Sequence, residues 1–121
     1  MQNKKLKILF AGTPEFSVPT LKLLHDSGYE VCLVLTQPDR KSGRGMKLKQ
    51  SPVKKYSIEH NLTLYQPEKL LNNEEVKKKI LSLRPDIFIV VAYGLIIPTE
   101  FLNYFVHKLK SIKFLRQQLI F

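Results

Sequence analysis

Seven basic side chains and no acid fall between Arg40 and Lys55: Arg40, Lys41, Arg44, Lys47, Lys49, Lys54 and Lys55. Charge of one sign at this density suits a polyanion, and nucleic acid is the commonest such partner. A compositional bias toward lysine is the plainer alternative. Within the run, Arg44 stands between Gly43 and Gly45. Flanking glycines leave the backbone free, and a planar guanidinium grips phosphate at two points where a lysine offers only a point charge. The stretch 37–54 shows no apolar pattern, so it reads as a loop, either solvated throughout or ordered on a nucleic acid.

Other residues with chemical potential are scattered. His25, His60 and His107 are isolated in sequence, with no second ligand at metal spacing, so they read as surface or helix-end residues and no metal is expected. Cys32 is the only cysteine. It makes no intramolecular disulfide and reads as a small core residue. Glu15 and Asp39 fall at strand ends, placed either to hold a substrate group or, more simply, to close a turn. Tyr93, after the last apolar run, either lines a pocket or packs beneath its loop. Gly12-Thr13-Pro14 does not fit a dinucleotide cradle, which needs three glycines, and Pro14 removes an N–H donor. Gly43-Arg44-Gly45 lacks the spacing and terminal Lys-Ser/Thr of a nucleotide-binding P-loop.

The elements that must position these residues are legible. Four apolar runs, at 6–11, 31–36, 62–65 and 87–92, read as strands. Their near-continuous apolarity is that of parallel strands buried on both faces. Ser17 is placed to cap a helix carrying Leu21 and Leu24, stopped by Gly28. Pro52 opens a second helix, to about residue 60. Asn73, followed by Glu74 and Glu75, caps a third that carries Val76, Ile80 and Leu83 and ends before Pro85. The expected fold is α/β: an open, Rossmann-like, doubly wound and mainly parallel sheet. Ligands in such sheets sit at the carboxyl ends of the strands, where strand order reverses. That brings 12–16 and 92–98 into view, with the basic stretch leaving the same edge. The chain has 121 residues, enough for one domain or part of one, and carries a formal charge of +10. Its longest apolar run, 87–91, is far short of a membrane span of about 20 residues, and no signal segment is read before the first strand, so a cytoplasmic chain is expected.

Three segments taken together, ILFAGTPEFSVPTL, TQPDRKSGRGMKLKQSPVK and DIFIVVAYGLIIP, closely resemble the start of the methionyl-tRNA formyltransferase family. The resemblance runs from about residue 6 to residue 101, some two-thirds short of that family's usual length. Related formyltransferases acting on sugar nucleotides or purine precursors share the strand ends but not the basic stretch. The resemblance implies formyl transfer from 10-formyltetrahydrofolate to the amino group of methionine on initiator tRNA, in translation initiation. It also implies that Arg44, helped by Arg40, Lys41 and Lys47, holds tRNA, and that the folate donor lies at Tyr93, Gly94, Leu95 and Ile96. Initiator methionyl-tRNA and the folate are the expected partners of a monomer that meets no membrane.

The family's Asn-x-His pair and later aspartate, which steady an oxyanion and move the amine's proton, have no match. From Phe101 the chain reads FLNYFVHKLKSIKFLRQQLIF, with Asn103 and His107 four apart rather than two. No catalytic residue is therefore carried over. The expectation is a formyltransferase N-terminal domain at 1–104 and a tail at 105–121 that departs from the family pattern, as a shifted or prematurely ended reading frame would give. Such a chain would be an inactive fragment. A small-molecule formyltransferase fragment and a non-catalytic tRNA-binding module are the rival readings.

Overall fold

The apolar run at the N-terminus and the three that follow do form one sheet. The computed structural model describes residues 5–111. In chain order it comprises β1 (Lys7–Gly12), a single 3-10 turn (Glu15–Ser17), α1 (Val18–Asp26), β2 (Glu30–Leu35), β3 (Arg40–Ser42), β4 (Lys47–Lys49), α2 (Pro52–Glu59), β5 (Leu64–Tyr65), α3 (Glu74–Leu83), β6 (Ile87–Val91) and α4 (Thr99–Ser111). The main sheet runs β5-β2-β1-β6, and every pairing in it is parallel. The chain steps outward from β1 to β2 to β5, then returns to the far side of β1 for β6. Strand order therefore reverses between β1 and β6, at the carboxyl ends carrying Gly12 and Val91.

Both faces of the sheet are covered, which explains the unbroken apolarity of the inner strands. Leu9, Ala11, Leu33 and Leu35 pack with Val76 and Ile80 of α3 and with Phe101 and Phe105 of α4. Phe10, Val31 and Val34 pack on the other face with Leu21 of α1 and with Val53 and Tyr56 of α2. The β1–β2 register slips by one residue, Ile8 opposing Val31 and Leu9 opposing Leu33, so Cys32 is the extra residue of a bulge. Cys32 is half-buried against the α3/α4 core, and burial pushes its thiol pKa up. It is the small core residue expected.

Two helix starts follow the expected chemistry. The Ser51 hydroxyl accepts the Lys54 N–H at 3.0 Å, with Pro52 opening α2. Asn73 Oδ1 accepts the Val76 N–H at 3.2 Å, with Glu74 and Glu75 in the first turn of α3. Gly28, at φ +83°, stops α1 as expected. The third does not follow. Ser17 makes no capping bond; its buried hydroxyl donates to the Val91 carbonyl and ties α1 to β6. The strand expected at 62–65 shortens to Leu64–Tyr65.

Two elements depart from the sequence expectation. The basic stretch is an antiparallel hairpin, β3 against β4, closed by a four-residue turn in which Gly43, Gly45 and Met46 have positive φ. The glycines flanking Arg44 supply that turn. The segment after Pro98 forms α4, because Phe101 and Phe105, four apart, bury a common stripe. The tail expected at 105–121 lies outside the described residues from 112 onward, and its earlier part continues α4. Among the described residues no helix is long and apolar enough to cross a membrane.

Candidate functional site

The ends of β1 and β6 meet where the sheet reverses. A Cβ on Gly12 would lie 2.8 Å from both the Ser17 Cβ and the Val91 carbonyl oxygen, so only glycine lets the strands close here. Beyond β6 the backbone turns at Ala92, whose φ is 52°, and at Gly94, whose φ is 90°. The Tyr93 carbonyl between them accepts the Thr13 hydroxyl at 2.8 Å and Gln37 Nε2 at 2.9 Å. Three strand ends, those of β1, β2 and β6, are thus laced together around one carbonyl.

The four residues expected at the donor site behave differently from one another. The Tyr93 ring is buried in the α3/α4 core, its hydroxyl without a partner among the described residues. Burial pushes its pKa up to about 12. The ring packs beneath the loop, and it is the Tyr93 carbonyl that meets Thr13 and Gln37. Gly94 is exposed, and Ile96 is 81% exposed. Leu95 packs partly against the core. No acceptor among the described residues takes the N–H of Gly94, Leu95 or Ile96. Those donors are available to a planar heterocycle with carbonyl and ring-nitrogen acceptors.

The hairpin leaves the end of β2 beside this loop. Arg40, Lys41, Arg44, Lys47 and Lys49 are all exposed, and none makes an ion pair among the described residues. Arg40 pairs with Lys49, Lys41 with Leu48 and Ser42 with Lys47. Paired residues share a face, so Arg40, Lys47 and Lys49 lie on one side of the ribbon and Lys41 on the other. Like charges set directly opposite repel, and a bound polyanion would relieve that.

What holds the ribbon is its root. The Asp39 carboxylate accepts Lys54 Nζ of α2 at 3.0 and 3.1 Å and Gln66 Nε2, beyond β5, at 2.8 Å. The Gln66 bond first, then Lys54, lowers the Asp39 pKa below the usual carboxylate value. Arg40 Nη2 donates to Gln37 Oε1 at 3.1 Å. Asp39 is thus the anchor of the hairpin. Gln37, Gln66 and Thr13 were not singled out from the sequence. Their only signal was position, since all follow strand ends on the edge where the sheet reverses.

The histidines were read as isolated, and two are not. His25 and His60 lie 5.3 Å apart between ring centroids, and His60 stacks on Tyr56 at 4.0 Å. The packing of α1 on α2 brings the pair together. No group of three or more His, Cys, Asp or Glu residues able to hold a metal occurs among the described residues. Asn103 and His107 are exposed on α4. Glu15 is exposed in the 3-10 turn.

Comparison with known proteins bears on this arrangement. Residues 4–112 match the model of the Formyl transferase family. The chain is 48% identical over 107 residues to the methionyl-tRNA formyltransferase of Sulfurihydrogenibium sp. (strain YO3AOP1), covering 88% of this chain and 34% of that protein. It is 54% identical over 98 residues to the methionyl-tRNA formyltransferase of Methylococcus capsulatus, covering 81% and 32%. With the protein of that name from Chromobacterium violaceum the identity is 50% over 98 residues, covering 81% and 32%. The chain spans about a third of the length of these curated relatives.

Proposed function

The chain belongs to the formyl transferase family, and from that premise we propose that it holds the two substrates of a methionyl-tRNA formyltransferase. One observation carries the reading. A hairpin bearing five cations with no ion pair among the described residues rises from the strand edge where the sheet reverses, beside a loop whose backbone donors meet no acceptor among those residues. A family member acting on a small acceptor has no use for such a ribbon. The acceptor is initiator methionyl-tRNA, met in the cytoplasm at translation initiation.

Arg44, at the tip of the hairpin between Gly43 and Gly45, takes a phosphate of the tRNA in two-point fashion. Arg40, Lys41 and Lys47 add charge along the ribbon and set its orientation on the backbone of the nucleic acid without reading sequence. The N–H groups of Gly94, Leu95 and Ile96 hold the pterin edge of 10-formyltetrahydrofolate, and Tyr93 contributes its backbone while its ring supports the loop from below. The folate supplies an activated formyl carbon to the methionine amine. Asp39, Lys54 and Gln66 fix the root of the hairpin and so the path by which the tRNA end reaches the crevice. No side chain of this chain is assigned to proton transfer or oxyanion stabilisation.

Binding of initiator tRNA and of 5-formyltetrahydrofolate, a stable relative of the donor, is the test. Both should bind, tRNA affinity should fall at least tenfold in Arg44→Ala, and folate affinity should not change in that variant. Folate binding without tRNA binding would place the chain with the small-molecule formyltransferases. Binding of tRNA with no folate affinity would make it a non-catalytic module.

A further inference from the structure

Gln37 joins the hairpin to the donor loop, and all four of its hydrogen-bonding groups are committed. Its Nε2 donates to the Tyr93 carbonyl at 2.9 Å and its Oε1 accepts Arg40 Nη2 at 3.1 Å. Its backbone N–H reaches Thr13 Oγ1 at 3.4 Å, and its carbonyl accepts Gln66 Nε2 at 3.3 Å. The backbone is therefore fixed, and the side chain spans from one functional part to the other. Its orientation follows from both ends, since a carbonyl can only accept and a guanidinium can only donate. The amide also fills the space that a Cβ on Gly94 would occupy. With Thr13 and Gln37 both donating, the two lone pairs of the Tyr93 carbonyl are saturated.

Of the two bonds that hold the Gln37 side chain, the one from Arg40 is the longer and the exposed one. Its acceptor is neutral. The guanidinium already makes its bond to Gln37 charge-assisted, but a phosphate offers it two such bonds at once and an opposite charge besides. A phosphate on the ribbon therefore draws Arg40 away from Gln37. Freezing a glutamine side chain costs about as much as one neutral hydrogen bond returns, so two bonds hold the amide in place and one does not.

We infer that Gln37 is a relay between the two substrate sites. Phosphate capture by Arg40 releases the Gln37 amide from the Tyr93 carbonyl and opens that carbonyl, beside Gly94, to an N–H donor of the folate. Both ligands favour the released state, so each tightens the other by the same factor. The identity of the donor rests on the proposed function; the relay itself does not. Gln37 is a positioning residue here and touches neither reacting group.

The test uses the whole chain, labelled with ¹⁵N and titrated with inorganic tripolyphosphate, which engages exposed arginine and lysine whatever the natural substrate. The Gly94 nitrogen shares a peptide with the Tyr93 carbonyl and so reports that carbonyl's bonding. In the unaltered chain the Gly94 amide should shift with the same midpoint as the hairpin amides of 40–49. In Gln37→Leu the hairpin shifts should persist and the Gly94 shift vanish. Arg40→Ala removes one of the two bonds, so the Gln37 amide is released from the start: the Gly94 amide should sit at its shifted position before titration and move no further, while the hairpin still responds through the remaining lysines. A hairpin that does not respond in the unaltered chain, a Gly94 signal that stays still while the hairpin moves, or one that moves equally in Gln37→Leu, overturns the relay. With 5-formyltetrahydrofolate added, tripolyphosphate should raise its affinity about fivefold, the low end for coupled sites, and leave it unchanged in Gln37→Leu. A Gly94 response with no folate binding supports the relay and removes the donor loop from the proposed function.

Discussion

Replacing Gly12 by alanine perturbs the joint between β1 and β6 at a single atom, and the cost can be worked from the contacts. The added Cβ would meet the Ser17 Cβ at 2.8 Å, the Val91 carbonyl oxygen at 2.8 Å and Ser17 Oγ at 2.9 Å. None of these is the free end of a flexible side chain. Ser17 is fully buried, its hydroxyl is bonded to Val91, and Val91 is held to Gly12 by the β1–β6 ladder. The clash can be relieved only by parting β6 from β1 or by lifting the turn that starts α1. Overpacking of this kind costs about 1–3 kcal/mol, and losing the Ser17 bond adds about 1 kcal/mol. A total near 3 kcal/mol is a large share of the 5–15 kcal/mol typical of a domain. At about 4 °C per kcal/mol for 121 residues, the melting temperature should fall by about 12 °C.

Gly28→Ala is the internal control. A Cβ there meets nothing within 4 Å, but φ is +83°. Its cost is backbone strain alone, about 1 kcal/mol. Urea unfolding followed by far-ultraviolet circular dichroism, with a parallel thermal melt, should rank Gly12→Ala well below Gly28→Ala and both below the unaltered chain. A Gly12→Ala chain within about 0.5 kcal/mol of the unaltered one, the usual range for harmless surface changes, would refute the close approach of β1 and β6.

Tyr93→Phe removes a buried hydroxyl that has no partner among the described residues, so stability should hold or rise by about 1 kcal/mol. Because the folded tyrosine titrates at about 12 against an ordinary 10.0, the unfolded chain loses its proton first. The stability this group contributes is intact below pH 10 and drains away as pH rises toward 12; urea unfolding across that window should show a shallower decline in Tyr93→Phe. Asp39 has the opposite sign. Its pKa is lowered in the fold, so its contribution is present above the ordinary 3.8 and lost as pH falls below it. Asp39→Asn should reproduce the acid effect at neutral pH, speeding amide hydrogen exchange in 40–49 while leaving the central sheet protected. Asn73→Ala should cost about 1 kcal/mol in urea unfolding through loss of the α3 cap.

What was legible in the sequence was local. Unbroken apolar runs placed β1 and β2, where burial on both faces leaves no alternation to misread, and a run of the same kind placed β6 at the sheet's end. Pro52 and Asn73 marked their helices, because proline suits a first turn and Asn73 bonds the residue three positions on. Ser17 has the same chemistry but spends its hydroxyl on Val91, 74 residues away, and nothing local marks that choice. The hairpin was hidden for a similar reason. Two three-residue strands of charged residues carry no period, and their order comes from the root contacts of Gln37 and Asp39 with Arg40, Lys54 and Gln66. The charge and Arg44 were visible; the ribbon that displays them was not. In the loop after β6 the turn at Gly94 was legible, but the burial of the Tyr93 ring depended on a core built from α3 and α4. Likewise His25 and His60 meet only because α1 packs on α2.

The salt dependence of initiator tRNA binding tests the central claim most directly. Each phosphate neutralised contributes about 0.9 to the slope of log affinity against log salt on duplex nucleic acid. If the five exposed cations of the ribbon all engage, the slope should approach about −4.5, and Arg44→Ala should reduce its magnitude by about 0.9. A slope near zero, or one that Arg44→Ala leaves untouched, would mean that the tRNA, if it binds, is held elsewhere than on the hairpin.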